Sequence, residues 1–216
     1  RSRGLGDVYK RQLLNGDPRT NRLLHGLIYS LPGMPCLYYG DELGMGDWPG
    51  LRDRDPNRTP MAWTPDRNGG FSSAPDPLLV LPPITAPGYD YRVVNVEVQK
   101  QLQGSLLNWH RRMLTCRRLL PALHQGGFEL LQCSHPGALA YVRSTDAMTV
   151  LVAANVTGAG ASFSLDLTRW QEQRTREVMW GCDFPPASPE WFVNLPPYGI
   201  NWWLIGEVES QPPGPG

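Results

Sequence analysis

The spacing of apolar residues changes twice along this chain. Between Pro18 and Leu31, the residues Leu23, Leu24, Leu27, Ile28 and Leu31 recur at helical intervals. The preceding Asp17-Pro18 suits a helix cap and a first helical position, and Pro32-Gly33 suits its end. The next run, MPCLYYG from Met34 to Gly40, is apolar without alternation. That pattern predicts a parallel strand covered on both faces, so helix, brief loop and strand form an αβ unit. From Gly40 to Tyr91 no period persists, and the stretch is rich in Pro, Gly, Asp and Arg. A loop of that length in a compact domain is usually functional. A second helix is predicted to start around Ser105, with Leu106, Trp109, Met113, Leu114 and Arg117 near one face. Arg111, Arg112, Arg117 and Arg118 crowd its second half, which complements the negative helix terminus and reads as a solvated face.

From Gly126 onward the period becomes two. FELLQC, ALAYVRS, TVLVAANV, SFSLDL, REVMWG and INWWLI are separated by turn residues, and Phe163, Leu165 and Leu167 alternate with polar neighbours. Short strands at regular spacing predict an antiparallel sandwich. Such strands can close a core by themselves, so residues 120–209 are expected to fold alone. The terminal QPPGPG reads as a disordered tail. The fold class is therefore α/β plus all-β. The expected divisions are an α/β portion over 13–120, a β-sandwich over 121–207 and a tail over 208–216.

Residues 1–12 are set apart. Read back into codons, Ser2 to Gln12 matches a transposon-end sequencing adapter translated in frame, so this segment is expected to be a non-native scar. Without it the chain has 16 basic and 19 acidic residues. That balance, without clustered Lys or Arg, argues against a nucleic-acid partner. No stretch approaches the roughly 20 apolar residues of a membrane span. Cys36, Cys116, Cys133 and Cys182 match no zinc spacing and read as free thiols of a cytoplasmic protein.

The segment LPGMPCLYYGDELGMGDWPGLRDRDPNRTPMAWTPDRNGGFS carries a resemblance to the α-amylase superfamily of glycoside hydrolases. YYGDELGM is similar to the eighth barrel strand and its loop. RTPMAW followed by NGGF resembles signatures of the exo-acting branch, with Ala62 in place of Gln and Gly69 in place of Ala. LPPITAPGYDYRVVNVEVQ, SLLNWHRRML and LPPYGINWW narrow the resemblance to the trehalose synthase family. It implies the C-terminal portion of a (β/α)8 TIM barrel followed by a β-sandwich. It also implies a parent enzyme that interconverts maltose and trehalose by retaining glucosyl transfer, with active-site residues at the C-terminal ends of barrel strands. The alternatives are an α-glucosidase of the oligo-1,6-glucosidase type and a non-catalytic carbohydrate-associated β domain.

The resemblance assigns one site residue. Arg58, in RTPM, matches the family arginine that lines the pocket of the non-reducing glucose, and a planar guanidinium suits that role. The family's catalytic carboxylates follow earlier strands, so none is assigned here and this chain alone is expected to be inactive. Asp41 and Glu42 match a mainly structural pair, and Asp53 and Asp55 are read as loop support. Gly44, Gly46 and Gly50 only faintly resemble a phosphate loop. His25, His110, His124 and His135 lack ligand spacing, so no metal or other cofactor is expected in this chain. The resemblance allows a calcium ion elsewhere in the parent, and an oligomeric parent. Of Trp202 and Trp203, adjacent on a predicted strand, one must face the core.

Overall fold

The computed structural model describes residues 17–48, 51 and 55–206. The adapter-like segment, Gly50, Asp53 and the terminal tail lie outside the described residues. Among the described residues, two compact units form: 17–21 with 36–111, and 22–35 with 112–206. In this grouping, helical segments share the second unit with the strands.

Helix α1 spans Pro18–Ser30. Its start is as the sequence predicts, with the Asp17 carboxylate accepting from the Arg19 backbone N–H at 2.8 Å. Its buried face is not the predicted leucine stripe. Leu23, His25, Gly26, Tyr29 and Ser30 are buried, while Leu31 is exposed. Gly26 lies on the buried face, where a Cβ would lie 2.9 Å from Cγ2 of Ile200, so glycine lets that side chain approach closely.

The predicted strand Met34–Tyr39 is not formed, and Met34 is 93% exposed. A strand exists through ladder bonds to its neighbours, and none pairs with this segment among the described residues. The stretch that follows is more than a loop. Leu43, Met45, Ala62, Ile84 and Val96 form a small core, with Trp48, Tyr89 and Tyr91 packed around it. Helix α2, Val96–Gln101, emerges from it, capped by Asn95, whose side chain accepts from the Val98 N–H at 2.9 Å. Helix α3 spans Leu106–Leu119 and helix α4 spans Ala122–Gln125.

Two of the four arginines of α3 depart from the expected solvated face. Arg117 is buried, donating to the carbonyls of Tyr29 and Gly33. Arg112 stacks on the Trp180 ring at 4.0 Å. Only Arg111 and Arg118 of the four are exposed. Carbonyls left open at a helix end attract cations, and α1 supplies such an end.

The predicted antiparallel sandwich is present. Its strands are β1 (Gly127–Leu131), β2 (Ala138–Thr145), β3 (Met148–Asn155), β4 (Ala161–Leu165), β5 (Thr175–Glu177), β6 (Asp183–Phe184), β7 (Trp191–Leu195) and β8 (Ile200–Ile205). One sheet runs β1-β2-β3-β8-β5-β6, and β4 pairs with β7 in the other. Between the sheets lie Val142, Leu151, Phe163, Leu165, Leu167, Val193 and the edge-to-face pair Trp191 and Trp203, 5.2 Å apart.

The larger sheet is buried on its second face too. Val150, Val152 and Trp202 alternate with the core residues yet are fully or almost fully buried. Ser30 of α1 bonds the Tyr141 hydroxyl at 2.6 Å, and Cys116 of α3 reaches the Val178 carbonyl at 3.7 Å. A piece covering 120–209 would lack α1 and most of α3, which lie against this apolar sheet face.

Candidate functional site

Arg58 stands at a groove within the first unit. A 3-10 turn, Asp55–Asn57, directs the chain into it, with the Arg58 N–H donating to the Asp55 carbonyl at 3.0 Å. Thr59 is buried, and its carbonyl accepts from the Tyr39 hydroxyl at 3.1 Å. That bond ties the MPCLYYG segment to the RTPM segment. Tyr39, Pro60, Met61, Trp63, Phe71 and Leu78 to Leu81 line a cavity of about 720 Å³ with Arg58 and Glu42.

The far wall depends on a left-handed corner. Asn68, Gly69 and Gly70 have φ of 56°, 67° and 69°. Asn tolerates this region and Gly enters it freely. The corner is fastened by the Gly69 carbonyl, which accepts from the N–H groups of Trp63 and Thr64 at 2.7 and 3.1 Å. The Asn68 amide donates to the carbonyls of Ser72 and Ala74 at 2.8 and 2.9 Å. Phe71 follows at once and is 56% exposed, its ring in the groove wall. The two departures from the family signature meet here. A Cβ at Gly69 would lie 3.4 Å from Cα of Ala62.

Arg58 is exposed, and among the described residues its guanidinium has no partner. Five donors in a rigid fork thus border a surface of aromatic and aliphatic groups. Glu42 is half-buried on the same groove. Asp41 is buried at the start of the 3-10 turn Asp41–Leu43, its carbonyl accepting from the Asn21 amide at 3.2 Å. Asp55 serves the turn before Arg58. Gly46 packs on the Tyr89 ring, where a Cβ would come within 2.4 Å, so its role is contact rather than phosphate binding. Among the described residues, no three of His, Cys, Asp and Glu gather to hold a metal ion. Trp202 and Trp203 are each 1% exposed, on opposite faces of β8, so neither offers a platform. Sequence reasoning missed Tyr39, Trp63 and Phe71. The available signal was three large aromatics inside a Pro- and Gly-rich stretch.

A loop-borne arginine beside aromatic walls, followed by an antiparallel sandwich, defines a class that the family comparison makes explicit. Residues 12–126 match the α-amylase catalytic domain and residues 128–202 match the C-terminal domain of maltogenic amylases, and the chain belongs to the α-amylase family. Within that family its curated relatives include trehalose synthases. The trehalose synthase/amylase TreS of Mycobacterium tuberculosis is 43% identical over 93% of this chain, and the trehalose synthase of Thermus thermophilus is 39% identical over 92%. The chain spans 34% and 21% of those relatives' lengths. Among solved structures, the trehalose-6-phosphate hydrolase of Bacillus licheniformis superposes with a TM-score of 0.72 at 20% identity. That superposition covers 93% of this chain and 41% of the hydrolase, and it shows the fold.

Proposed function

We propose that this chain belongs to an enzyme that interconverts maltose and trehalose by intramolecular glucosyl transfer with retention, and that it supplies one wall of the sugar pocket. The observation that carries the reading is identity of 39–43% to proteins named trehalose synthase across 92–93% of the chain. A relative named as a probable α-glucosidase reaches 30% over 82%. In this reading Arg58 holds hydroxyls of the non-reducing glucose, while Trp63 and Phe71 shield the groove from water. Exclusion of water separates an isomerase from a hydrolase, because water would intercept the glucosyl-enzyme. A retaining mechanism needs a nucleophilic carboxylate and a second carboxyl group as acid and base about 5–5.5 Å apart. The family places both on segments preceding the part represented here. The substrates are neutral disaccharides handled in the cytoplasm by an enzyme that needs no nucleic acid or membrane. No helix among the described residues is long and apolar enough to cross a membrane.

The test is expression of the whole reading frame that contains this sequence, followed by incubation with maltose. Trehalose as the main product supports the isomerase. Glucose alone would identify an α-glucosidase instead. The 216-residue chain given maltose is expected to release neither sugar.

A further inference from the structure

The backbone that carries Arg58 into the groove is fastened at few points. Upstream, the Arg58 N–H donates to the Asp55 carbonyl at 3.0 Å. Downstream, Pro60 has no N–H to give. The next fastening is at Ala62 and Trp63, whose carbonyls accept from the N–H groups of Val96 and Glu97, both at 3.0 Å. Between these points, among the described residues, the chain is held by the Tyr39 hydroxyl, which donates to the Thr59 carbonyl at 3.1 Å.

Tyr39 is itself tied to the small core of this unit. Gly40 follows it in the left-handed region, at φ 84°, and the Gly40 carbonyl accepts from the N–H groups of Leu43 and Met45 at 3.2 and 3.0 Å. Leu43 and Met45 are buried in that core. A continuous chain of bonds therefore runs from the core through Gly40 and Tyr39 to Thr59, one residue beyond Arg58. The Tyr39 ring also lines the groove beside Arg58.

We propose that Tyr39 is a positioning residue for Arg58: its hydroxyl fixes the backbone from which the guanidinium meets a glucose unit. The inference rests on the reading of Arg58 as a sugar-binding residue. The Arg58 side chain is exposed and has no partner among the described residues, so its backbone does most to aim it. A long side chain loses less freedom on binding when its base is already fixed, and a small misplacement of a substrate-gripping group is costly. Thr59 is 2% exposed. Without the hydroxyl its carbonyl is an unsatisfied acceptor, which favours a turn of the peptide toward another donor and a shift of the adjoining Arg58.

Tyr39→Phe keeps the ring in the groove wall and deletes only the hydroxyl. The experiment is a double-mutant cycle in the complete enzyme, with Tyr39→Phe, Arg58→Ala and the pair, read as kcat/KM for consumption of maltose. Trehalose and glucose are counted together, so the cycle reads alike for an isomerase or a glucosidase. Tyr39→Phe alone should lower kcat/KM about 2–10-fold, the equivalent of one neutral hydrogen bond. In the Arg58→Ala background it should change kcat/KM by less than about 2-fold, because no guanidinium is left to aim. The thermal midpoint should shift equally in both backgrounds, which separates aim from stability. Equal factors of kcat/KM in both backgrounds would overturn the proposal, since the hydroxyl would then touch the sugar itself or serve only the fold. Full activity in Tyr39→Phe would overturn it as well. A wild type that leaves maltose untouched would overturn both this inference and the reading beneath it, whereas glucose as the sole product would remove only the isomerase.

Discussion

Arg143→Ala should be among the most damaging single substitutions in the sandwich unit. Arg143 is 1% exposed on β2. Its Nε donates to the Gly127 carbonyl at 3.0 Å and its Nη2 to the Gly126 carbonyl at 2.9 Å. Its Nη1 donates to the carbonyls of Ser30 at 2.7 Å and Leu123 at 3.2 Å. Ser30 ends α1 and Leu123 lies in the single turn of α4. Both carbonyls lack the onward helical partner that a longer helix would provide. One cation thus satisfies four acceptors from three segments, two of them buried and two part-buried. Each hydrogen bond to a charged group contributes about 1.5–3 kcal/mol. Simple addition overstates the loss, because the four share one donor group and are coupled. Leaving a buried acceptor without its donor costs about 1–3 kcal/mol, and with several orphaned together a loss of about 3–5 kcal/mol is expected here. It would consume much of a stability of about 5–15 kcal/mol. Arg143→Lys should recover less than half, since one ammonium cannot span the fork. The assay is a urea melt followed by tryptophan fluorescence, reporting through Trp202 and Trp203 on β8. The midpoint should fall with little change in slope. A loss below about 1 kcal/mol, or a Met variant as stable as the parent, would refute the claim that these four acceptors depend on Arg143.

In the complete enzyme, Arg58→Ala should depress isomerisation and hydrolysis together by about 10–150-fold, the equivalent of a charge-assisted bond, and Arg58→Lys should not restore it. Retention of wild-type turnover on maltose would remove Arg58 from the sugar pocket. Burial raises the Glu177 carboxyl above its ordinary 4.5, opposed by its bonds from the Trp180 and Met179 N–H groups at 2.6 and 3.1 Å and by the charge of Arg112. The folded state then binds more protons than the unfolded one, so this contribution is full below pH 4.5 and is lost as pH rises through the folded value. Glu177→Gln should flatten that part of a stability–pH profile, and an unchanged profile would dismiss the burial argument. Burial pushes the Cys116 thiol up to about 11, while Cys36 and Cys182 are exposed. Alkylation of the native chain at pH 8 should therefore label Cys36 and Cys182 quickly and Cys116 only on unfolding, as peptide mass mapping can show.

Local chemistry was legible from residues alone wherever a signal acts over a few positions. Asp17-Pro18 started α1, Gly126 marked the change to strands, and the alternation of Phe163, Leu165 and Leu167 placed them in the core. Arg58 was legible through its motif, and it does border a groove. The tertiary structure decided which face each element buries. Gly26 looks like a weak point in a leucine-rich helix until Ile200 is seen against it. Arg112 and Arg117 follow the same charge pattern as Arg111 and Arg118. Yet Trp180 and the carbonyls of Tyr29 and Gly33 separate them, and those partners are far away in sequence. Met34–Tyr39 has the composition of a buried strand, but composition supplies no neighbour to bond with. Period reports how a segment repeats, and only packing reports what stands opposite it. For that reason the groove's aromatics, the second buried face of the sheet and the bond from Tyr39 to Thr59 had no linear signature.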